Sequence, residues 1–267
     1  MHEIVDFRTP DTWPNLSEFE AGMDQNSPDA TSALAGRTIA LHYENGRVAE
    51  YQLGERELSW TVRSGEPPRP GWGPYSAPYV ATEFAPELFY VLSRDDRAGA
   101  PKFVISVLDL AAGIATTIFG EVTSTEGRGS LEVHFEHAGI GSPSERRHER
   151  TGVMDGKRTL WRYSDTHLYE HIYVNAGTFG WHAVTGPEQG AAEIVPFRAY
   201  QIREDIILMW FREGYWTLTA SGLMDLSDMR LAISGWGWDF RGRKPRGALT
   251  LLGARGVLLG EVTYPQV

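Results

Sequence analysis

The chain has 267 residues, of which 42% are hydrophobic, 12% are aromatic and 22% are charged, with a formal net charge of −10. This length permits one large domain or two smaller ones. The negative charge argues against nucleic acid and anionic membranes as partners, because both bind through basic patches. The absence of cysteine excludes disulfides, thiolate catalysis, iron–sulfur clusters and cysteine zinc sites.

The aromatic content is high, with nine Trp and eleven each of Tyr and Phe, which favours β-sheets and ring-lined pockets. The N-terminus has neither the basic region nor the apolar region of a secretory signal, and no apolar run is long enough to span a bilayer. We therefore expect a soluble cytoplasmic protein with no membrane partner.

Residues 1–35 are rich in Asp, Pro, Ser and Asn and lack the alternation of a strand. One candidate helix lies at 16–23. A second lies at 29–35, because Ser27-Pro28 supplies an N-cap followed by a proline, and Gly36 supplies a C-terminal glycine. We predict a short helical lead-in that packs over one end of the structure that follows.

From Arg37 onward, β-branched and aromatic segments with alternating polarity predict strands. Asn45-Gly46, between the first two strands, is the strongest two-residue hairpin signal. Residues 64–78 contain five prolines and predict a loop. The predicted strands of this half are 38–44, 47–53, 58–63, 88–93, 102–108 and 114–119.

The second half of the chain repeats the first at a constant shift of 121 residues, without a gap. This shift lays Trp60 on Trp181 and Gly65 on Gly186, and it keeps the order of strands, turns and an Asp-Leu turn. We therefore predict an internal structural repeat.

These patterns predict an all-β fold of two related meander repeats, preceded by short helices. A meander leaves free edges unless it closes on itself, and closure creates an interior. Two small barrels and one large barrel are both compatible with the pattern. The predicted division is a lead-in at 1–35, a first repeat at 36–122, a connecting segment at 123–156 and a second repeat with closing strands at 157–267.

Residues 167–173 carry a ring with a polar tip at every second position. Such a strand is typical of the wall of a small-molecule cavity, and a solvated or interface strand is the alternative. The members that share one face are His167, Tyr169, His171 and Tyr173. At the shift of 121 residues, the first repeat has no such rings opposite the last three members, where it carries Val48, Glu50 and Gln52.

The chain contains none of the common dinucleotide, phosphate-loop, serine-hydrolase or zinc-protease motifs. His167 and His171 would lie ~13 Å apart along a strand, too far to bind one metal together. A metal site would have to combine residues from different strands. We predict neither a metal nor a cofactor.

A second group of charged and aromatic residues follows at 198–216. A buried Arg there would bind an anionic group and a buried Glu would transfer a proton, whereas both would be ordinary turn charges if they lie at a hairpin. Together with Trp181, the residues predicted to contact a substrate are Arg198, Tyr200, Trp210 and Arg212.

The segment from Tyr169 to Tyr173, followed by Trp181, Gly186-x-x-x-Gly190, residues 209–213 and the Leu-Met-Asp225-Leu turn, resembles the C-terminal half of the molybdenum cofactor biosynthesis protein F family. Residues 37–122 resemble its N-terminal half. The resemblance implies two lipocalin-like (calycin-type) antiparallel β-barrel repeats and a role tied by name to molybdopterin. Barrels of this kind include ligand carriers and cofactor-independent enzymes.

Our leading hypothesis is a barrel that binds a small hydrophobic or aromatic molecule and acts on it as a cofactor-independent lyase, hydratase, isomerase or cyclase. His171 is the main acid or base and Glu213 the second proton carrier. Tyr169 and Tyr173 orient the substrate, and the predicted arginines bind an anionic group.

Two alternatives remain open from the sequence. One is a non-catalytic binding or accessory protein for a pterin-like compound, in which the aromatic face only stacks the ligand. The other is an interaction module whose exposed aromatics form a homodimer interface.

Overall fold

The computed structural model describes residues 5–14, 18, 20–68, 72, 74–95, 102–125, 128–214, 218–239 and 246–263. Its strands form two closed antiparallel barrels of eight strands each. The chain divides into two compact units, one of residues 29–148 and the other of residues 1–28 together with 149–267. The prediction of an all-β fold built from two related repeats is confirmed. Each repeat forms its own small barrel, and the alternative of one large barrel is wrong.

The first barrel runs in chain order, and its last strand pairs with its first. The Asn45-Gly46 hairpin forms as predicted, with Gly46 at a φ of 83° and the Asn45 side chain accepting the Arg47 amide. The strands are β1 (Arg37–Tyr43), β2 (Val48–Leu53), β3 (Glu57–Ser64), β4 (Tyr75–Ala85), β5 (Leu88–Asp95), β6 (Lys102–Asp109), β7 (Ile114–Thr125) and β8 (Arg128–Ile140).

Strands β4 and β8 differ from the predicted elements at their positions. β4 begins inside the predicted loop 64–78, with Pro78 within the strand. Pro78 is the last residue of β4 that pairs with β3, and Tyr79 is the first that pairs with β5, so the missing proline N–H falls at a change of partner. About half of the predicted connecting segment 123–156 lies in β8 and the end of β7, which belong to the first barrel.

The second barrel closes through its last strand, which pairs with β15 on one side and β9 on the other. The two closing strands predicted at the C-terminal end form this single long strand. The strands are β9 (Lys157–Arg162), β10 (Leu168–Asn175), β11 (Thr178–Thr185), β12 (Ala192–Arg203), β13 (Ile206–Arg212), β14 (Leu218–Asp225), β15 (Arg230–Asp239) and β16 (Arg246–Glu261).

The N-terminal segment contains two short 3₁₀ helices, at Pro10–Thr12 and Asp24–Asn26. The helix predicted at 29–35 is absent, because the Thr31 amide donates to the carbonyl of Ala81 in β4 and the chain then turns around a buried Leu34. Part of the helix predicted at 16–23 lies outside the described residues. No helix in the described part of the chain has the length and hydropathy needed to cross a membrane.

The repeat begins at a shift of 120 residues, one fewer than the sequence comparison suggested. Gly36 and Gly156 both have a φ of 77°. The Gly36 amide donates to Leu53 O at 2.7 Å, and the Gly156 amide donates to Tyr173 O at 2.8 Å. The same turn therefore precedes both barrels.

The shift becomes 121 residues at the next strand of each barrel. Trp60 pairs with Tyr51, whereas Trp181 pairs with His171. A register irregularity near the end of β10 accommodates the extra residue. The predicted match of the two Trp residues is therefore correct, but the predicted absence of a gap is wrong.

This one-residue difference in the shift changes which first-barrel side chains correspond to the ring face of β10. A slip of one residue moves every side chain of a strand to the opposite face. In β2 the residues expected to form the corresponding wall alternate with the buried ones and lie on the opposite face. The buried residues of β2 that correspond to Tyr169, His171 and Tyr173 are Ala49, Tyr51 and Leu53.

The two equivalent glycines should differ in how well they tolerate a side chain. An added Cβ at Gly36 meets nothing within 4 Å, whereas at Gly156 it would lie 2.2 Å from Val262 O. We expect Gly36→Ala to cost about 1 kcal/mol through the left-handed backbone alone, and Gly156→Ala to cost clearly more. Urea midpoints of the two variants check this, and equal midpoints would contradict it.

Candidate functional site

The ring face of β10 points into the second barrel. Tyr169, His171 and Tyr173 are buried and alternate with partly exposed residues along the strand, and His167, just before it, is also buried. Period-2 alternation sends these side chains to the same side as Trp181 of β11. The structure therefore brings together the rings that the sequence placed on one face.

His171 lies in a box of aromatic rings. Its ring centroid is 4.9 Å from that of Phe179 and 6.2 Å from that of Trp161, and its Nδ1 is 3.3 Å from the Tyr173 hydroxyl. Burial disfavours the charged imidazolium and lowers the pKa of His171 to about 3. His171 is therefore neutral at physiological pH and a weak base.

Tyr173 is held in its protonated form by the same burial, which raises the pKa of its hydroxyl. Thr159 lies next to it on β9 and accepts a hydrogen bond from Trp161 Nε1 at 2.7 Å. A neutral polar network thus runs through the apolar interior, with rotatable hydroxyls that can donate or accept.

A small cavity lies at one end of this interior. Its volume is about 40 Å³, above the roughly 10–15 Å³ that a cavity needs to hold one water molecule. It is lined by Met23, Tyr163, Tyr169, His171, Trp181, Phe211 and Glu213.

Glu213, the second proton carrier predicted from the sequence, lines this cavity. It follows β13 at the inward parity of Met209 and Phe211, and its amide donates to Leu218 O at 2.8 Å. Its carboxyl is buried, and the Oε2 atom has no hydrogen-bond partner. Desolvation first, and then the charges of Glu193 and Glu188, raise the pKa of Glu213 well above its ordinary value, which favours the protonated form.

Glu188 is a second buried carboxyl, and no local sequence pattern indicates it. It lies in the loop between β11 and β12, and neither of its carboxylate oxygens has a partner. Burial raises its pKa to about 7, against the opposing charge of Arg8. A Cβ at Gly186 would lie 3.0 Å from Oε1 of Glu188 and 3.2 Å from Cδ2 of His167, so all three meet. The local pattern Gly-Pro-Glu-Gln-Gly is that of an exposed turn, which is why this residue was missed.

The N-terminal segment covers this end of the barrel. Trp13 packs on Trp181 with ring centroids 5.3 Å apart, and Met23 lines the cavity. The Arg8 amide donates to Gly190 O at 3.1 Å, and the Asn26 side chain donates to Tyr163 O at 2.9 Å. The described residues between 8 and 26 therefore form a cover that is hydrogen-bonded to the loop after β11 and to the loop after β9.

Four residues expected to contact a substrate lie on the other face of their strands. In β12 and β13 the interior positions are odd-numbered, such as Phe197 and Phe211, so the even-numbered side chains point outward. The expectation that these residues share the cavity with His171 is therefore corrected by strand parity. The four are Arg198, Tyr200, Trp210 and Arg212.

The outward group makes its own contacts. Arg198 is exposed, and its guanidinium carbon is 5.6 Å from the centroid of Trp210. Arg150 is placed similarly over Tyr200 at 5.5 Å, and Arg212 is half-buried. The remaining members of the 198–216 group, at 215 and 216, lie outside the described residues.

Within the part of the chain that the structure describes, no three His, Asp or Glu side chains come close enough to hold a metal ion together. The chemistry that the cavity offers is therefore that of neutral acids, hydroxyls and rings among these residues.

Comparison with known proteins gives matches in both barrels. Residues 11–124 match the family model described as the MoaF N-terminal domain, and residues 148–262 match the one described as the MoaF C-terminal domain. Protein MoaF of Klebsiella aerogenes is 27% identical over 173 residues, which span 60% of this chain and 65% of the relative. The match thus covers less than two thirds of that relative.

Among solved structures, one similar chain is a Burkholderia vietnamiensis protein described provisionally as a beta-lactamase. It is 20% identical, with a TM-score of 0.31, and the match covers 40% of this chain and 93% of that one. At this TM-score the likeness carries no argument about fold or function.

The low pKa of His171 gives a pH-dependent stability. Between pH 6.5 and about 3 the unfolded imidazole binds a proton that the folded one does not. The unfolding free energy should therefore fall, as pH falls, by up to about 1.4 kcal/mol per pH unit relative to His171→Gln. Denaturant midpoints of both proteins from pH 7 to pH 4 measure this difference, and parallel curves would contradict it.

The raised pKa of Glu213 has the opposite sign. Its folded carboxyl keeps its proton at a pH where the unfolded one has lost it, so it destabilises the fold increasingly as pH rises above 4.5. We expect Glu213→Gln to raise the melting temperature at pH 8, with a smaller gain at pH 5. Glu204→Gln, at an exposed turn, makes the same change in net charge and is the control. Equal effects of both variants would contradict the assignment.

Proposed function

The chain belongs to the MoaF family, and from this premise we propose that its second barrel binds a small organic molecule in the ring-lined cavity and that the Glu213 carboxyl donates a proton to it. The reaction class is that of a cofactor-independent lyase, hydratase, isomerase or cyclase. Each of these reactions contains a proton transfer to a carbon or a heteroatom of the substrate.

The observation that carries the proposal is the buried carboxyl of Glu213 at the cavity wall. Oε2 has no partner, and the carboxyl is kept neutral by desolvation and by neighbouring acids. Burying a polar atom without a partner costs roughly 1–3 kcal/mol. Groups that cost stability and have strongly shifted pKa values are concentrated at functional sites.

The other cavity residues have supporting roles in this proposal. Trp181 and Tyr169 supply apolar surface and ring faces for an organic molecule. His171, with a pKa of about 3, accepts or donates a hydrogen bond instead of carrying the main proton, which exchanges the roles first expected for it and Glu213. Glu188, whose pKa is about 7, acts on Glu213 electrostatically and would return a proton to it after a turnover.

The cavity of about 40 Å³ must enlarge to admit an organic substrate. The wall most suited to this is Met23, because an unbranched thioether repacks at low cost and the residue lies on the N-terminal cover. Displacing the cover would open the end of the barrel where both carboxyls lie.

A non-catalytic binding protein is the second candidate. It is favoured by the weak basicity of His171, which leaves the acid without a strong base opposite it. In that case the rings stack a flat ligand, such as the pterin-like compound that the resemblance implies, and Glu213 only hydrogen-bonds to it.

Native mass spectrometry of protein purified from its own host tests the proposal. Phe211→Trp should fill the cavity and lose a retained small molecule that the wild type carries. Arg198→Gln, on the outer face, should keep it. Retention by Phe211→Trp would place the ligand elsewhere and overturn the proposal.

Glu213→Gln separates the two candidates. If the barrel is an enzyme, the variant should retain the molecule in its unreacted form, with conversion slowed by about 100-fold or more, as expected for loss of a general acid. If the barrel is a carrier, wild type and variant should hold the same compound, and only its affinity should change.

A further inference from the structure

The geometry points to the chemical class of the ligand: we propose that the cavity binds an amine and holds it as an ammonium ion against Glu213. This inference rests on the proposed function of the same cavity. It follows from the residues that line the cavity, because they include a buried carboxyl with an unpartnered oxygen and no Lys or Arg.

Three acids lie near this end of the barrel. Glu213 and Glu188 are buried with unpartnered oxygens, and Glu193 lies close enough to act on Glu213 electrostatically. None of the residues that line the cavity in the described part of the chain is a Lys or an Arg. The wall therefore offers a ligand the carboxyl of Glu213 and several ring faces, and it offers no cation among these residues.

The basic groups nearby do not supply that charge. His167 and His171 are neutral, because burial lowers the pKa of both. Arg8 acts on Glu188, but its guanidinium donates to the carbonyl oxygens of Pro187 and Thr12. A cation that enters with the ligand would therefore find no Lys or Arg of the cavity wall already paired with Glu213.

The first barrel has a buried cation at the position that His167 occupies in the second barrel. At the shift of 120 residues, the counterpart of His167 is Arg47, and each lies against the glycine that begins the next loop, Gly186 or Gly65. Arg47 is buried, makes a two-pronged ion pair with Glu136 and lies 4.1 Å over the ring of Tyr43. The first barrel thus neutralises its buried acid with its own side chain, whereas the second has a neutral imidazole at the equivalent position.

The rings of the cavity suit an ammonium group as well. Tyr163 and Tyr169 meet edge to face with centroids 5.5 Å apart, and Tyr169 lies 6.3 Å from Trp181. Cations are attracted to the faces of such rings, and the attraction grows when water is excluded. A carboxylate or phosphate on the ligand would be repelled by the same ring faces and would meet no cation in the wall.

The proton balance is simple. A neutral amine that enters takes the proton of Glu213: the carboxyl O–H bond breaks, an N–H bond forms, and an ammonium–carboxylate pair results. An amine that enters already protonated displaces the Glu213 proton to solvent. The titratable groups that face Glu213 in this exchange are Tyr163, His171, Glu188 and Glu193.

Three probes of one shape test the inference on the full chain at pH 7: benzylammonium, benzyl alcohol and benzoate. Isothermal titration calorimetry should give wild-type protein an affinity for benzylammonium at least about tenfold above that for benzyl alcohol, with benzoate the weakest. In two buffers of different ionisation enthalpy, benzylammonium binding should release a proton. Glu213→Gln should lose the preference and the proton release while it still binds benzyl alcohol.

Glu170→Gln is the control, because it removes one charge from an ion pair with Arg158 on the other face of β10. It should behave like the wild type. If benzyl alcohol or benzoate binds as tightly as benzylammonium, the ligand is not an amine, although the cavity remains a binding site. If none of the probes binds either the wild type or Met23→Ala, whose cavity is larger, both the inference and the proposed function are overturned.

Discussion

The pairing of β16 with β9 closes the second sheet, and the chemistry of this protein depends on that closure. In an open sheet, strand alternation gives two faces that differ in burial, whereas in a closed one it gives an interior from which water is excluded. The rings of β10 become the lining of that interior. Polar groups on the same side must then be neutral or paired, because charge is costly there.

In the second barrel, burial favours the uncharged form of both a base and an acid. Burial lowers the pKa of His171 and raises that of Glu213, so the base loses its proton and the acid keeps its own. The interior can therefore hold titratable groups without a net charge. The first barrel uses the other solution, in which Arg47 and Glu136 neutralise one another as an ion pair. The same architecture thus contains one interior with a buried ion pair and one in which Oε2 of the buried Glu213 has no partner.

The N-terminal cover connects this electrostatic arrangement to access. Trp13 and Met23 belong to the same buried cluster as the rings of the barrel, although they lie more than 130 residues away in the chain. Their contacts are side-chain packing and a few hydrogen bonds, in contrast to the continuous ladders of the strands. A segment held by side-chain packing and a few hydrogen bonds opens at lower cost than a strand within a continuous ladder.

The sequence alone determined the all-β class, the repeat and the ring face of 167–173, because hairpin residues, Trp spacing and period-2 alternation are local patterns. It did not determine the offset between the repeats, since an irregularity of one residue in β10 leaves little trace in composition and yet inverts the face of every compared residue. Only the tertiary structure placed Arg198 and Arg212 outside, Glu213 inside and Glu188 beside it. Burial, counter-charge and distance between strands are properties of closure, and local residue patterns do not encode them.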